Sequence, residues 1–285
     1  MLRLIALVAT LLILAGDTPD FEPLGRFDLR AIPESSGIVK SRRHPDVFWV
    51  HNDSGNSATL FAVDRRGRIV GSFAVAVPNL DWEDLAIDDR GRLYIGDIGN
   101  NGGLLAVRMI HQIAEPDPGK PSAVPLRPLA SSFYAMPRGD RFDAESLIVD
   151  GGRAIVVSKR FDGREAELLE IPFSPPAPLL RPASPRRIGV LPGFVEPATG
   201  ADLSTNGRLL AVCGDRVTRV YERADDQAWD SLRLIAEVFH EPLGTEGVAW
   251  DGMDLIHASE DRGLDRIAER TWRHAPPRAK AGKTR

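Results

Sequence analysis

The chain has 285 residues, 43% of them hydrophobic and 27% charged, with a net charge of −4 at pH 7. Five of its cations lie at the ends, Arg3 near the start and Arg278, Lys280, Lys283 and Arg285 in a C-terminal tail after Pro276-Pro277, so the body between them is more acidic still, near −9. That excludes general binding to phosphate backbones, and a small anionic molecule or a protein ligand is the expected partner instead of nucleic acid. The one cysteine, Cys213, excludes an internal disulfide and lies in an apolar run (LLAVC) that predicts a small core residue.

At the N-terminus Arg3 precedes the apolar run Leu4–Leu14, followed by small Ala15 and Gly16 and then Asp17. The order predicts a secretory signal peptide over residues 1–16 and a periplasmic or extracellular protein. An uncleaved N-terminal anchor is the alternative, since a bilayer span needs roughly 20 apolar residues. Residues 21–274 are expected to form one monomeric domain, and 275–285 a disordered basic tail.

Beyond the leader, short apolar runs alternate with Asp, Asn and Gly turns. LAIDDRGRLYIGD, LIVDGGRAIVVSK, DLSTNGRLLAVCGD and VAWDGMDLIHASED each read as strand, turn, strand, and SGIVKSRRHPDVFWVHNDSG is a looser copy. Each copy starts at an acid: Glu34, Glu83, Glu145, Asp202 and Glu246, spaced by 49, 62, 57 and 44 residues. Two more runs follow several hairpins, such as TLFAVD and GSFAVAV after the first. Four strands per unit over about 265 residues predict an all-β propeller of five four-stranded antiparallel blades, with six as the alternative. The fifth unit runs out of chain after a strand placed within Asp265–Trp272, and GRFDLRAI (25–32) is expected to supply its outer strand and close the ring. The segments Pro116–Pro128 and Pro172–Pro192 are expected to be loops.

In a propeller the first strand of each blade lines the channel, so the five acids converge on one mouth. The ends of second strands bring His51, Asp53, Asp97, Lys159, Arg160, Asp215, Glu260 and Asp261 to the same face. Carboxylates so placed repel one another unless protonated, paired or bound to a cation. Ca²⁺ takes six to eight hard oxygens in flexible geometry. The six histidines (His44, His51, His111, His240, His257, His274) show no ligand-spaced pair that would suit Zn²⁺. The expected metal ligands are therefore Glu34, Glu83, Glu145, Asp202, Glu246, Asp53 and Asp97, holding Ca²⁺, with capping and inter-blade salt bridges as the alternative role. Lys159 and Arg160 are the cations placed to receive an anionic substrate, and His51, Glu83 or Glu145 the groups placed to activate water. Asp64, Asp88, Asp150 and Asp251 are expected to form the hairpin turns.

ESSGIV with FWVHNDSG, DWEDLAID with LYIGDIGNN, Glu115-Pro116, DAESLIVD with VVSKR, TGADLSTNGRLLAV, and TEGVAW with ASED occur in that order. Together they resemble secreted bacterial propellers of the phytase-like (esterase-like) and SdiA-regulated families, over nearly the whole chain after the leader. The resemblance implies a calcium-associated propeller and, at most, a phosphoester or ester hydrolase. Two positions depart from the family pattern: Asn100 replaces the last acid of GDIGDN, and Cys213-Gly214-Asp215 replaces a basic-polar strand end. A metal-dependent phosphoester, ester or lactone hydrolase and a noncatalytic binding propeller with a structural cation are the two functions compatible with these residues.

Overall fold

Turn chemistry sets the local structure. Asp64 Oδ1 accepts the N–H groups of Arg66 (2.8 Å) and Arg68 (3.0 Å), and Asp88 Oδ1 accepts those of Arg90 (3.0 Å) and Arg92 (2.9 Å). Both are the turn formers expected. Asp150 and Asp251 do more than turn the chain. Asp150 Oδ2 receives Arg223 Nη1 (3.2 Å) and Trp229 Nε1 (3.1 Å), and Asp251 Oδ1 pairs with Lys40 Nζ (2.8 Å), so each joins its blade to the next.

The protein was studied as a computed structural model, which describes residues 21–100, 105–136, 143–173, 176–224, 229–240, 244–260 and 263–277. The expected leader and most of the basic tail lie outside the described residues; the tail's Ala275 accepts the N–H of Glu237 at 2.9 Å. After a first strand, β1 (Phe21–Gly25), the strands fall into hairpin-linked groups. Blade one is β2 (Ser35–Lys40), β3 (Val47–Asn52), β4 (Thr59–Asp64) and β5 (Ile69–Ala74). Blade two is β6 (Trp82–Ile87), β7 (Arg92–Asp97), β8 (Arg108–Ala114) and β9 (Ala130–Tyr134). Blade three is β10 (Asp143–Asp150), β11 (Arg153–Lys159), β12 (Glu167–Ile171) and β13 (Arg186–Val190). Blade four is β14 (Gly200–Leu203), β15 (Leu209–Cys213), β16 (Val217–Arg223) and β17 (Leu232–Phe239). Blade five is β18 (Thr245–Asp251), β19 (Asp254–Ser259) and β20 (Gly263–Ile267), completed by β1. All pairings are antiparallel, and β2, β6, β10, β14 and β18 neighbour one another in a ring, making a five-bladed β-propeller.

Three details differ from the sequence reading. The closing strand is Phe21–Gly25, not 25–32, because Asp28 turns the chain: its carbonyl accepts the N–H of Ala31 and Ile32, and its side chain accepts that of Arg30. Phe27 and Ile32 instead plug the seam between blades five and one. The last strand ends at Ile267, and α1 (Glu269–Arg273) follows, burying Trp272 with its Nε1 on the Met253 carbonyl at 2.8 Å. Finally, the proline-rich stretch Pro172–Pro192 contains β13.

Both faces of the inner strands are covered, which is why they are buried along their length instead of alternating. The core is five clusters, one in each seam. Trp49, Phe73, Trp82 and Leu93 fill the first seam, for example, and Leu168, Phe194, Leu210 and Tyr221 the third. Each such side chain contributes about 1.5–3 kcal/mol by leaving water. Because the apolar groups lie between blades, the axis is left to polar ones. The ring is tight there: a Cβ on Gly247 would lie 2.8 Å from Ile38 Cγ2 and 2.9 Å from the Ser36 carbonyl oxygen, so β18 approaches β2 only with glycine.

Candidate metal centre at the channel mouth

Four inner strands begin with a register shift, and the extra residue decides where the acids go. The shifts fall at Ser35/Ile38, Trp82/Asp84, Ala144/Ser146 and Thr245/Gly247, so Glu83, Glu145 and Glu246 are the bulged residues. Residues two before the bulge form an outer tier of Glu34, Asp81 and Asp143. Residues just after it point into the axis, and one of these is Asp84. Its carboxylate crosses the channel to accept the N–H groups of Leu147 (2.8 Å) and Ala201 (3.4 Å), while also accepting that of Leu85 (2.8 Å). Burial drives its pKa well above the ordinary range against those three donors. Asp84 is thus the floor of the mouth.

Above that floor, one oxygen each of Asp53, Asp81 and Glu83 lie within 4.8 Å of one another. The chain holds each in place. Asp97 Oδ1 accepts the Asp81 N–H at 2.8 Å and its Oδ2 that of Leu80 at 3.4 Å. Asn79 bonds the carbonyls of Asn52 (3.2 Å) and Asp53 (2.8 Å) through its amide and accepts the Trp82 N–H (3.0 Å), tying the Asp53 loop to the Asp81 strand entry. The Asp53 N–H bonds the Glu34 carbonyl, and Asn56 Nδ2 bonds Glu34 Oε2 at 2.6 Å. Gly99 forms the wall: a Cβ there would lie 2.0 Å from Glu83 Oε1 and 2.5 Å from Asp81 Oδ2. Glu83 is 3% exposed, and its Oε1 is buried without a hydrogen-bond partner among the described residues.

The neighbouring half of the mouth is built differently. Lys159 Nζ contacts Glu145 Oε1, while Glu145 Oε2 is buried without a partner. Glu246 adjoins this pair and Glu260. Burial raises the pKa values of Glu83, Glu145, Asp53 and Glu246, the last to about 8; repulsion from neighbouring acids adds to it, against Lys159 at Glu145 and the Ser54 N–H at Asp53. Burial works against the Lys159 ammonium, but Glu145 outweighs it and raises its pKa.

The structure therefore brings together Glu34, Asp53, Glu83, Glu145, Glu246 and Lys159 and adds Asp81 and Asp143. It does not bring Asp202 to this group. Asp202 lies further down its strand, where its Oδ2 accepts the Trp250 N–H at 2.8 Å and its carbonyl the Trp250 Nε1–H at 3.0 Å. Asp97 orients Asp81 through the backbone. Arg160 is turned aside onto Asp162 (2.7 Å) and Glu167 (3.3 Å). His51 is fully buried against Trp82, with Nδ1 on the Asn52 carbonyl at 2.9 Å, and burial lowers its pKa to about 4. Asp215 is exposed beside Arg216, and Asp261 lies outside the described residues. Cys213 is a core residue whose thiol pKa is raised by burial.

Asp81 and Asp143 were absent from the sequence reading, although a repeated signal marked them: DWE at 81–83 and DAE at 143–145 share one Asp-x-Glu spacing. Two cavities, of about 510 and 540 Å³, open on the opposite face among hairpin turns, where Asp88–Arg92 and Asp150–Arg153 already pair.

No family model matches the chain, and no curated protein matches it in sequence. Solved structures resemble it in fold. A chain of the mitotic checkpoint complex is 12% identical with a TM-score of 0.42 over 81% of this chain, which spans 63% of that one. Kuenenia stuttgartiensis hydrazine synthase is 12% identical with a TM-score of 0.45, covering 83% of this chain and 72% of that one. The luciferin-regenerating enzyme is 13% identical with a TM-score of 0.45, covering 82% and 77%. At this distance the likeness bears on neither chemistry nor partner. No helix among the described residues is long and apolar enough to cross a membrane.

Proposed function

We propose that the protein is exported and that its mouth holds Ca²⁺ between Asp53, Asp81 and Glu83, serving a hydrolase that acts on a small phosphoester, ester or lactone. One observation carries the reading: three carboxylates each bring an oxygen within 4.8 Å of the others, and Glu83 Oε1 is buried with no donor among the described residues. An ionised carboxylate in that position is costly without a cation. The donor set is all hard oxygen, which suits Ca²⁺ better than Zn²⁺, and the wall at Gly99 leaves the space open. The leader pattern at Arg3 and Leu4–Leu14 supports export.

Held by Asp53, Asp81 and Glu83, Ca²⁺ would supply Lewis acidity toward a substrate oxygen. The remaining roles fall to the chain. Glu145 Oε2, free of protein donors, takes the proton of the attacking water. The Lys159 ammonium, already in the mouth, faces the negative charge that develops on the substrate. Asp84 closes the floor, so substrate enters and product leaves by the same opening. His51 is too deeply packed to take part. A panel of phosphoesters, esters and lactones assayed with Ca²⁺ and with chelator tests the activity: turnover that vanishes with chelator and with Glu145→Gln is expected, and turnover indifferent to both contradicts it.

A noncatalytic binding propeller is favoured by one other observation. Phe161 is 77% exposed, with its ring 5.8 Å from Lys159 Nζ, and Leu80, beside Asp81, is 48% exposed. Apolar groups on that rim suit docking of a protein ligand. Ca²⁺-dependent ligand capture without turnover is the outcome that reading expects.

A further inference from the structure

We infer that the mouth contains two cation positions and that the second is filled by the protein itself, with the Lys159 ammonium standing where a divalent ion would otherwise sit. The inference rests on the Ca²⁺ reading of the first position. The two positions adjoin: Asn100, next to the Gly99 wall, donates its N–H to Asp143 Oδ1 at 2.6 Å, and Glu83 lies in the field of Glu145. They differ in what neutralises them. Among the described residues no Lys or Arg forms an ion pair with Asp53 or Glu83. Glu145, by contrast, is bound at Oε1 by Lys159 Nζ, which also lies in the field of Glu246 and Asp143.

Two features indicate that the second position is built for a cation and that lysine fills it incompletely. Glu145 is 5% exposed, yet its Oε2 has no partner. Ser146 Oγ and Thr245 Oγ1, on the residues flanking the bulged glutamates, are likewise buried without partners. An ammonium offers three donors in a tetrahedral arrangement, whereas Ca²⁺ accepts six to eight oxygens, so a lysine leaves oxygens unused that a divalent ion would engage. Lys159 on Glu145 also removes the need for a second metal: one tethered positive charge offsets part of the repulsion without the entropy cost of capturing a free ion. The mouth is therefore a one-metal site by virtue of Lys159, and the residue works as a fixed counter-ion as well as a group facing the substrate.

Removing the ammonium should expose the second position. Isothermal titration calorimetry with CaCl₂ alone is the test, on wild type, Lys159→Met and Lys159→Arg. One Ca²⁺ per chain is expected for wild type and for Lys159→Arg, which keeps the charge, and two for Lys159→Met. Lys159→Gln serves in its place should the apolar chain prevent folding, with the same two ions expected. One ion in wild type and still one in Lys159→Met or Lys159→Gln overturns the counter-ion role and leaves the first site standing. Two ions in wild type overturn it in the same way. No Ca²⁺ bound by any form overturns the metal reading of the mouth, and the counter-ion role with it.

Discussion

Asp97 touches Asp81 through the backbone: its Oδ1 accepts the Asp81 N–H at 2.8 Å, while the Asp81 carbonyl accepts the N–H groups of Ile98 and Gly99. An acid at the end of one strand thereby aims an acid at the start of its neighbour. Asp97→Ala leaves a buried N–H unpaired and should cost about 1–3 kcal/mol of stability. It should also weaken Ca²⁺ binding about tenfold or more, as loss of supporting hydrogen bonds does at metal sites. Asp97→Asn keeps an acceptor and should restore most of the affinity. Calorimetry on both variants checks this, and equal affinity in Asp97→Ala and wild type contradicts it.

Gly99 is required by space. A Cβ would fall 2.0 Å from Glu83 Oε1 and 2.5 Å from Asp81 Oδ2, so Gly99→Ala must push both carboxylates apart. Overpacking of this kind costs about 1–3 kcal/mol. The expected outcome is a folded protein by circular dichroism with Ca²⁺ affinity reduced by an order of magnitude or more. Unchanged affinity in calorimetry counts against the triad.

The metal-free protein should lose stability as pH rises. Burial, then Glu145, raises Glu246 from 4.5 to about 8. Below pH 4.5 folded and unfolded chains both hold the proton; between there and pH 8 the unfolded chain releases it first, so the folded state binds more protons and stability falls across that window. Glu83, Glu145 and Asp53 are shifted in the same direction. Urea unfolding at intervals from pH 5 to 8 in chelator should show the decline, with a shallower slope for Glu246→Gln. Saturating Ca²⁺ should flatten it. Stability that climbs over this range in chelator is the contrary result.

The blades were readable from the sequence because each hairpin carries both a strand pattern and a turn acid, as in LAIDDRGRLYIGD around Asp88. The mouth was readable in part. Counting from the repeat placed Glu34 level with Glu83, but Ser35 pairs with Asn52 as Trp82 does with Asp97, so Glu34 falls level with Asp81 and Asp143, two residues ahead of the bulged glutamates. Blade four has no register shift at its inner strand, and Asp202 lies below the mouth, bonded to Trp250. Asn79 acts between two blades, Gly99 between the two ends of one hairpin, and Asp84 across the channel. Their partners are 26, 16 and 63 residues away for Asp53, Glu83 and Leu147, distances at which a local pattern leaves no mark. The turning-aside of Arg160 is local, onto Asp162 two residues on and Glu167 on the next strand of its blade, and it depends on the path of the 160–167 turn, which the strand pattern does not specify.

Thermal unfolding with Ca²⁺ and with chelator tests the central claim most directly. A ligand that binds only the folded state at a hundred times its Kd adds about 2.7 kcal/mol, and at about 2–4 °C per kcal/mol for a domain of this size the melting temperature should rise by several degrees. Mg²⁺ should do less, since it requires tighter octahedral geometry and holds its waters. Glu83→Gln should shrink the Ca²⁺ response while raising the melting temperature of the metal-free protein, because one buried like charge is removed. The expected result is that pair of opposite shifts. A melting temperature indifferent to both Ca²⁺ and chelator, with Glu83→Gln simply less stable throughout, would show that the carboxylates at the mouth serve the fold and hold no metal.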